Sequence, residues 1–271
     1  MSNTLRVCTL NIWNYNEPWP IRRQLIADTI KEHTPDIIGF QEIRHSGQKN
    51  DNNKNQAQQL AELLPSYTYI YQPAQENLEK DEWEGLSIFS RLPIQASSFI
   101  KLSVDPEDNR DNHQRIVLRA QVQTPAGAFN FFNTHLSLSQ QGRIRTTQEI
   151  TAYVSKYTGD LPSVLVGDFN DTPDQTSICH ITKTANLIDT WAQQNPNDPG
   201  HTFSNENTYL RVKNHDKRKA HRIDYIFAQA PKSSGGHVLS CQRIADQPNA
   251  DDLYPSDHFG LIADISLKGN A

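Results

Sequence analysis

The sequence predicts an α/β sandwich, on three observations. Runs with the two-residue period of strands recur along the whole chain, stretches of helical spacing interrupt them, and no segment repeats another at a fixed interval. The 271 residues are 36% hydrophobic and 21% charged, enough apolar material for a sizeable core and too much for a disordered chain. Short polar clusters from Asn11 to His258 end many of the apolar runs, so both ends of the chain are expected to meet and residues 1–271 to form one domain.

The elements follow in order. Residues 5–13 alternate apolar and polar side chains as a strand does, and residues 18–33 carry helical spacing through Ile21, Leu25, Ile26 and Ile30 until Pro35-Asp36 stops them. Residues 36–43 read as a second strand, which places Asn11 and Glu42 at comparable strand ends. The Asn- and Gln-rich residues 45–59 form a solvated loop leading into a helix over 56–64. Residues 67–71, 85–90, 94–102, 115–122 and 128–136 are strands punctuated by Pro93, Pro125 and Gly127, an antiparallel middle region. Residues 140–157 have helical composition, 163–166 form a short buried strand, and Pro173 opens a further helix. Runs at 222–228, 237–244 and 259–265 complete the strands.

Composition also excludes. No apolar stretch approaches the ~20 residues that cross a bilayer, and Met1-Ser2-Asn3-Thr4 lacks the basic start of a secretion signal, which predicts a cytoplasmic protein. Cys8, Cys179 and Cys241 are odd in number and widely separated, against a disulfide framework or zinc site. A net charge of −5 argues against sequence-independent binding to long nucleic acid. No protein partner is evident.

Six segments carry candidate chemistry: Thr9-Leu10-Asn11, Phe40-Gln41-Glu42, Asn133-Thr134-His135, Gly167-Asp168-Phe169-Asn170, Arg222-Ile223-Asp224 and Ser256-Asp257-His258. Most end an apolar, β-prone run, so their polar groups emerge at a sheet rim, where hard oxygen ligands suit Mg²⁺, with Mn²⁺ as a substitute. The i, i+2 spacing of Asp168 and Asn170 lets a carboxylate and a carboxamide address one phosphate or its attacking water. An Asx turn at Asn170 is the alternative use. His258, with an ordinary pKa of ~6.5, can accept a proton near neutrality and is the general-base candidate. The set reads as a metal-dependent phosphoesterase site.

In order and wording these segments resemble the endonuclease/exonuclease/phosphatase superfamily, over residues 5–267. The resemblance implies a four-layer α/β sandwich, two packed and mainly antiparallel sheets flanked by helices (DNase I-like), with the active site at one end. It implies Glu42 as a metal ligand with Asn11 and Asp257 beside it, and Asp224 orienting His258. His135 would donate to a phosphate oxygen and, if protonated, favour the transition state, while Arg115 would contact the scissile phosphate. Arg110, His113 and Arg119 rival Arg115 for that role.

Trp13, Tyr15, Trp19 and Trp83 could wall a substrate site or pack in the core, and the basic run from Arg211 through Lys217-Arg218-Lys219 to Arg222 could hold extra phosphates or lie solvated. The expected substrate is a phosphate ester of nucleic acid, nucleotide or lipid headgroup. A phosphodiesterase reading stands first, a phosphomonoesterase or phospholipase-like enzyme second, and a catalytically silent binding domain third.

Overall fold

The opening of the chain folds as a parallel crossover. Thr4–Asn11 (β1) pairs in parallel with Ile37–Ser46 (β2), and helix Trp19–His33 (α1) makes the return. Thr34 closes α1 in the left-handed conformation (φ 45°), its N–H bonded to Ile30 O, and Pro35 prevents any continuation. The computed structural model describes residues 4–157, 161–213, 220–231 and 235–267. The remaining elements are Gln56–Leu63 (α2), Thr68–Asn77 (β3), Glu82–Ser90 (β4), Ile94–Lys101 (β5), Ile116–Thr124 (β6), Gly127–His135 (β7) and Gln140–Val154 (α3). Val164–Asp168 (β8), Thr176–Cys179 (α4) with its π-helical continuation His180–Thr184, Leu187–Asp189 (β9) and Thr190–Gln194 (α5) follow. Thr208–Lys213 (α6), Asp224–Gln229 (β10), Val238–Ile244 (β11) and Gly260–Ser266 (β12) end the chain.

The strands form two sheets of six, ordered β11-β12-β1-β2-β4-β3 and β5-β6-β7-β8-β10-β9. Each is antiparallel but for one parallel pair, β1 with β2 and β7 with β8. Strand β12 pairs with β1, so the two ends of the chain lie side by side, with Leu5 opposite Ile265.

Side-chain alternation sorts the apolar residues into three cores. Val7, Ile37, Phe131, Val164, Val166, Ile226, Ala263 and their neighbours fill the space between the sheets. The next residues along the same strands, Cys8, Ile38, Phe40 and Ile262, turn outward beneath α1 and α2. On the other sheet Phe132, Leu165, Tyr225 and Phe227 turn outward with Ile150 and Ile178 of the covering helices. These are the three interfaces of a four-layer α/β sandwich. Each fully buried Val, Leu, Ile or Phe contributes roughly 1.5–3 kcal/mol, which is why a one-residue slip in any central strand is excluded.

The structure departs from the sequence expectation in places. Strands β2, β3 and β4 run longer, because cross-strand pairing extends them past their apolar stretches. The short elements β9, α5 and α6 carry too little periodicity to be read, and the helix expected from Pro173 starts at Thr176. The buried stripe of α1 is Trp19, Arg22, Ile26, Ala27 and Ile30, whereas Ile21 is 43% exposed. Arg22 displaces an apolar residue there because its guanidinium meets backbone carbonyls on every side. Residues 1–3 and the basic Lys217-Arg218-Lys219 lie outside the described residues. All three cysteines are free, Cys8 and Cys241 buried. Among the described residues no helix is long and apolar enough to cross a membrane.

Candidate active site

The alternation that builds the intersheet core continues past its apolar part. On β8 the inward series is Val164, Val166, Asp168; on β10 it is Ala228, Ile226, Asp224; on β7 it is Phe129, Phe131, Asn133, His135. On the facing sheet Leu5 and Val7 are followed by Thr9 and Asn11, and Ile37 by Gly39 and Gln41. Pairing sets His135 opposite Asp168 and Asp168 opposite Asp224. The polar groups therefore share one end of the space between the sheets, reached from both sides.

A buried polar layer forms the floor. Gln41 Nε2 donates to Asn133 Oδ1 (2.7 Å) and Thr9 Oγ1 (3.0 Å), and Asn133 Nδ2 donates to the carbonyls of Phe40 (2.9 Å) and Ser87 (3.0 Å). Gly39 makes room for it, since a Cβ there would lie 2.7 Å from Val166 and 2.8 Å from Asn133. Gly167, at φ +150°, brings β8 against β7 so closely that a Cβ would sit 2.0 Å from Thr134 O.

Above this floor the side chains join in a chain of contacts. Asn11 Nδ2 donates to Glu42 Oε1 (3.1 Å) and to Asp168 Oδ2 (3.0 Å), bridging the two sheets, while Asn14 Nδ2 donates to Glu42 Oε2 (2.9 Å). His258 Nδ1 meets Asp224 Oδ2 at 2.9 Å, and its Nε2 lies 3.8 Å from Asp168 Oδ2. His135 Nε2 is 3.4 Å from the same Asp168 oxygen, and Arg115 Nη1 donates to His135 Nδ1 at 3.1 Å. Asp168 Oδ1 accepts the Asn170 N–H (2.9 Å), so the Asx turn belongs to Asp168; Asn170 (φ 51°) donates its Nδ2 to Leu136 O. Ser256 Oγ donates to Asn11 O (2.6 Å), which fastens the buried Asp257-His258 pair to the end of β1. All nine residues singled out from the sequence thus occupy this end of the sandwich, Arg115 reaching it through His135 and Asp257 through its charge on His258.

Three placements differ from expectation. Glu42 is not at a strand end: β2 runs on to Ser46, and Glu42 sits in a register break between Phe40 and Ile43 with φ 57°. A left-handed glutamate costs roughly 1–2 kcal/mol, and such strain gathers at functional sites because it re-aims one side chain out of the strand's alternation. Asn11 turns its nitrogen, not its oxygen, to the carboxylates, because its Oδ1 accepts the Trp13 N–H at 2.9 Å. His135 is neutral: Arg115 can only donate, so Nδ1 accepts and Nε2 carries the hydrogen. Burial above all, then the charges of Arg115 and His258, push its pKa well down.

The electrostatics follow from three buried acids around one imidazole. Burial alone would lower His258, but the carboxylates of Asp224 and Asp168, with Asp257 beyond, outweigh it and raise its pKa well above the ordinary value. Burial and the charge of Asp224 push Asp168 up to about 7. Glu84, behind Glu42, is likewise raised to about 7 by burial and then by Glu42.

Ligand atoms of Asp168, Asp224 and His258 lie within 4.8 Å of one another. Asp224 Oδ1 is buried without a hydrogen-bond partner among the described residues. Carboxylates so crowded and so dry are the kind of oxygen donors that suit a hard divalent cation. Asn11 fits that set only with its carboxamide turned over.

Arg22 and Glu84 were not evident from motif reading. The signal for Arg22 was its i, i+4 spacing with Ile26 and Ile30 on a buried face; Glu84 had none. Of the four aromatic residues singled out, Tyr15 and Trp19 are core, Trp83 stacks on His45 at 3.9 Å and Trp13 packs against Tyr209 at 4.8 Å, while Phe203 lies 5.0 Å from the His258 ring. Arg222 is buried against Asp189 at 2.6 Å and is not available to a ligand.

Two six-stranded sheets with acids, amides and two imidazoles at one end of the space between them define a DNase I-like α/β sandwich. Residues 8–258 match the Endonuclease/Exonuclease/phosphatase family, and the chain belongs to that family, whose members are phosphoesterase hydrolases. The chain is similar to Nocturnin of Drosophila melanogaster, 24% identical over 281 residues that cover 92% of this chain and 42% of that protein. It thus spans less than half the length of that relative. A putative neutral sphingomyelinase of Caenorhabditis elegans is 24% identical over 303 residues, 97% of this chain and 67% of its own. An endonuclease/exonuclease/phosphatase structure from Bacteroides vulgatus superposes with a TM-score of 0.75 at 24% identity, covering 98% of this chain and 99% of that one.

Proposed function

We propose that the chain, as one domain, is a Mg²⁺-dependent phosphodiesterase that hydrolyses a P–O bond by in-line attack of water. The observation that carries this is the convergence of Asp224, His258 and His135 on Asp168, with Asn11 joining Asp168 to Glu42 of the other sheet. Glu42 and Asp257, with Asp168 and a turned-over Asn11, would hold the cation. When bound, a divalent cation polarises the phosphoryl group and offsets the carboxylate charge that holds His258 protonated.

The side chains divide the remaining work. Asp224 fixes the ring of His258 through Nδ1, leaving Nε2 to face Asp168 and the attacking water. Neutral His135 donates from Nε2 to a phosphoryl oxygen, with Arg115 behind it. The surrounding carboxylates raise the pKa of His258 well above its ordinary value, while burial and Asp224 push Asp168 up to about 7. That favours Asp168 as the immediate proton acceptor in a second reading, with His258 as the charged partner that stabilises the phosphorane.

The relatives named above include a sphingomyelinase, so a phosphomonoesterase or phospholipase-like activity on a small ester or lipid headgroup is the alternative. Free cysteines fit a reducing compartment, which supports the cytoplasm as the place of action. The deciding experiment is a Mg²⁺-supplemented screen of bis-p-nitrophenyl phosphate, p-nitrophenyl phosphate, DNA, RNA and phospholipid headgroup esters. Turnover of a diester that disappears in His258→Ala and Glu42→Ala is expected, and undiminished turnover in either variant would refute the roles given.

A further inference from the structure

Beside the reaction centre, β3, β4, the segment entering β6 and the end of β7 line a narrow recess with His135, Arg115, Glu84, His113 and Gln75. A second, more open hollow shares Gln75, Glu84 and His113 with it and reaches outward to Arg44 and Lys80. The two form one groove that starts at the catalytic cluster and leads away from it.

Its lining carries Arg44, Arg115 and Lys80 against the carboxylates of Glu82 and Glu84. Two guanidiniums flank one carboxylate, and both contacts are long: Arg44 Nη2 lies 3.5 Å from Glu84 Oε2, and Arg115 Nη1 lies 3.9 Å from Glu84 Oε1. The Nε atoms of Arg44 and of Arg115 are buried without a hydrogen-bond partner among the described residues. Leaving a charged donor buried and unsatisfied is costly, and planar guanidinium donors are matched best by a phosphoryl or carboxylate group. Burial, and then the charges of Arg115 and Arg44, also push the His113 imidazole below its ordinary value. Arg115 is the link: one of its nitrogens touches His135 at 3.1 Å, so an anion held between the arginines lies next to the group being hydrolysed.

We propose that the groove between Arg115 and Arg44 is a second anion subsite, which takes a phosphoryl group carried by the substrate in addition to the one undergoing hydrolysis. The inference rests on the phosphoesterase reading and narrows its substrate to compact molecules bearing two phosphates. The overall charge of −5 fits a local site of this kind better than a long basic track.

Calorimetric titration with adenosine 3′,5′-bisphosphate and adenosine 5′-monophosphate, at low salt with chelator so that no hydrolysis intervenes, tests it. The bisphosphate is expected to bind wild-type protein at least ~10-fold more tightly, as one more charge-assisted contact provides. Arg44→Gln should erase that advantage and Arg44→Lys retain part of it, both with a wild-type circular dichroism spectrum. Equal affinities in the wild type, or an advantage that survives Arg44→Gln, overturn the subsite. Mg²⁺-dependent hydrolysis of bis-p-nitrophenyl phosphate is followed in parallel. Turnover there with equal affinities here refutes the subsite alone, whereas no turnover with the advantage intact refutes the hydrolase reading and leaves the anion site standing.

Discussion

Arg22→Ala is expected to destabilise the protein by ~3–5 kcal/mol and to abolish activity, although Arg22 touches none of the candidate catalytic side chains. The guanidinium is fully buried and makes six hydrogen bonds of 2.7 to 3.2 Å to the carbonyls of Ile12, Trp13, Asn14, Asn16 and Pro255. Burial lowers its pKa from 12.5 to about 10, which corresponds to roughly 3 kcal/mol against the charged form. Hydrogen bonds from a charged donor contribute about 1.5–3 kcal/mol each, so even three of the six exceed that cost. Their loss strands carbonyls in the interior and frees the turn at 12–16 from the segment at 255, the two pieces that carry Asn11 and Asp257. Arg22→Lys, with three donors for five carbonyls, should fall between. Urea unfolding at constant m-value reads the stability. A loss under ~1 kcal/mol in Arg22→Ala would show that water or rearranged backbone serves these carbonyls equally well, and the argument would fail.

Three further outcomes are expected. His258 has a raised folded pKa, so its contact with Asp224 and Asp168 stabilises fully below ~6.5 and is lost as pH rises through the raised value; Asp224→Asn should shift the ring titration seen by NMR in chelator to lower pH, and an unmoved midpoint would remove Asp224 as the cause. Gly167→Ala should lower stability by more than ~2 kcal/mol, because φ +150° is foreign to alanine and the methyl would meet Thr134 O at 2.0 Å; an unchanged melting temperature contradicts this. Mg²⁺ at ~100 times its Kd should raise stability by ~2.7 kcal/mol in wild-type protein and not in Glu42→Gln, and melting insensitive to Mg²⁺ would count against a cation at Glu42.

Much of the site could be read from the chain because each candidate ends a run whose period is already visible. Asp168 after Val164 and Val166, and Asp224 before Ile226 and Ala228, hold the inward parity of their strands. Glu42 is the exception: the alternation of Ile37, Gly39 and Gln41 points it away from the intersheet space, and only the bulge returns it. The protonation of the histidines was not legible either. Arg115, twenty residues earlier in sequence, donates to Nδ1 of the buried His135, and acids from β8 and β10 raise the pKa of His258.

Local chemistry, then, is written along the chain: strand period, helix stops such as Pro35, and which side chains can ligate or carry protons. These depend on neighbours within a turn or a strand, so the order of residues suffices. The tertiary structure alone decided that Asn11 turns its nitrogen to Glu42 and Asp168, that Arg22 rather than Ile21 is buried, and that Arg44 and Arg115 face one another across Glu84. Those outcomes come from groups far apart in sequence competing for hydrogen bonds where water is scarce, and the energy of that competition exists only once the two sheets have closed.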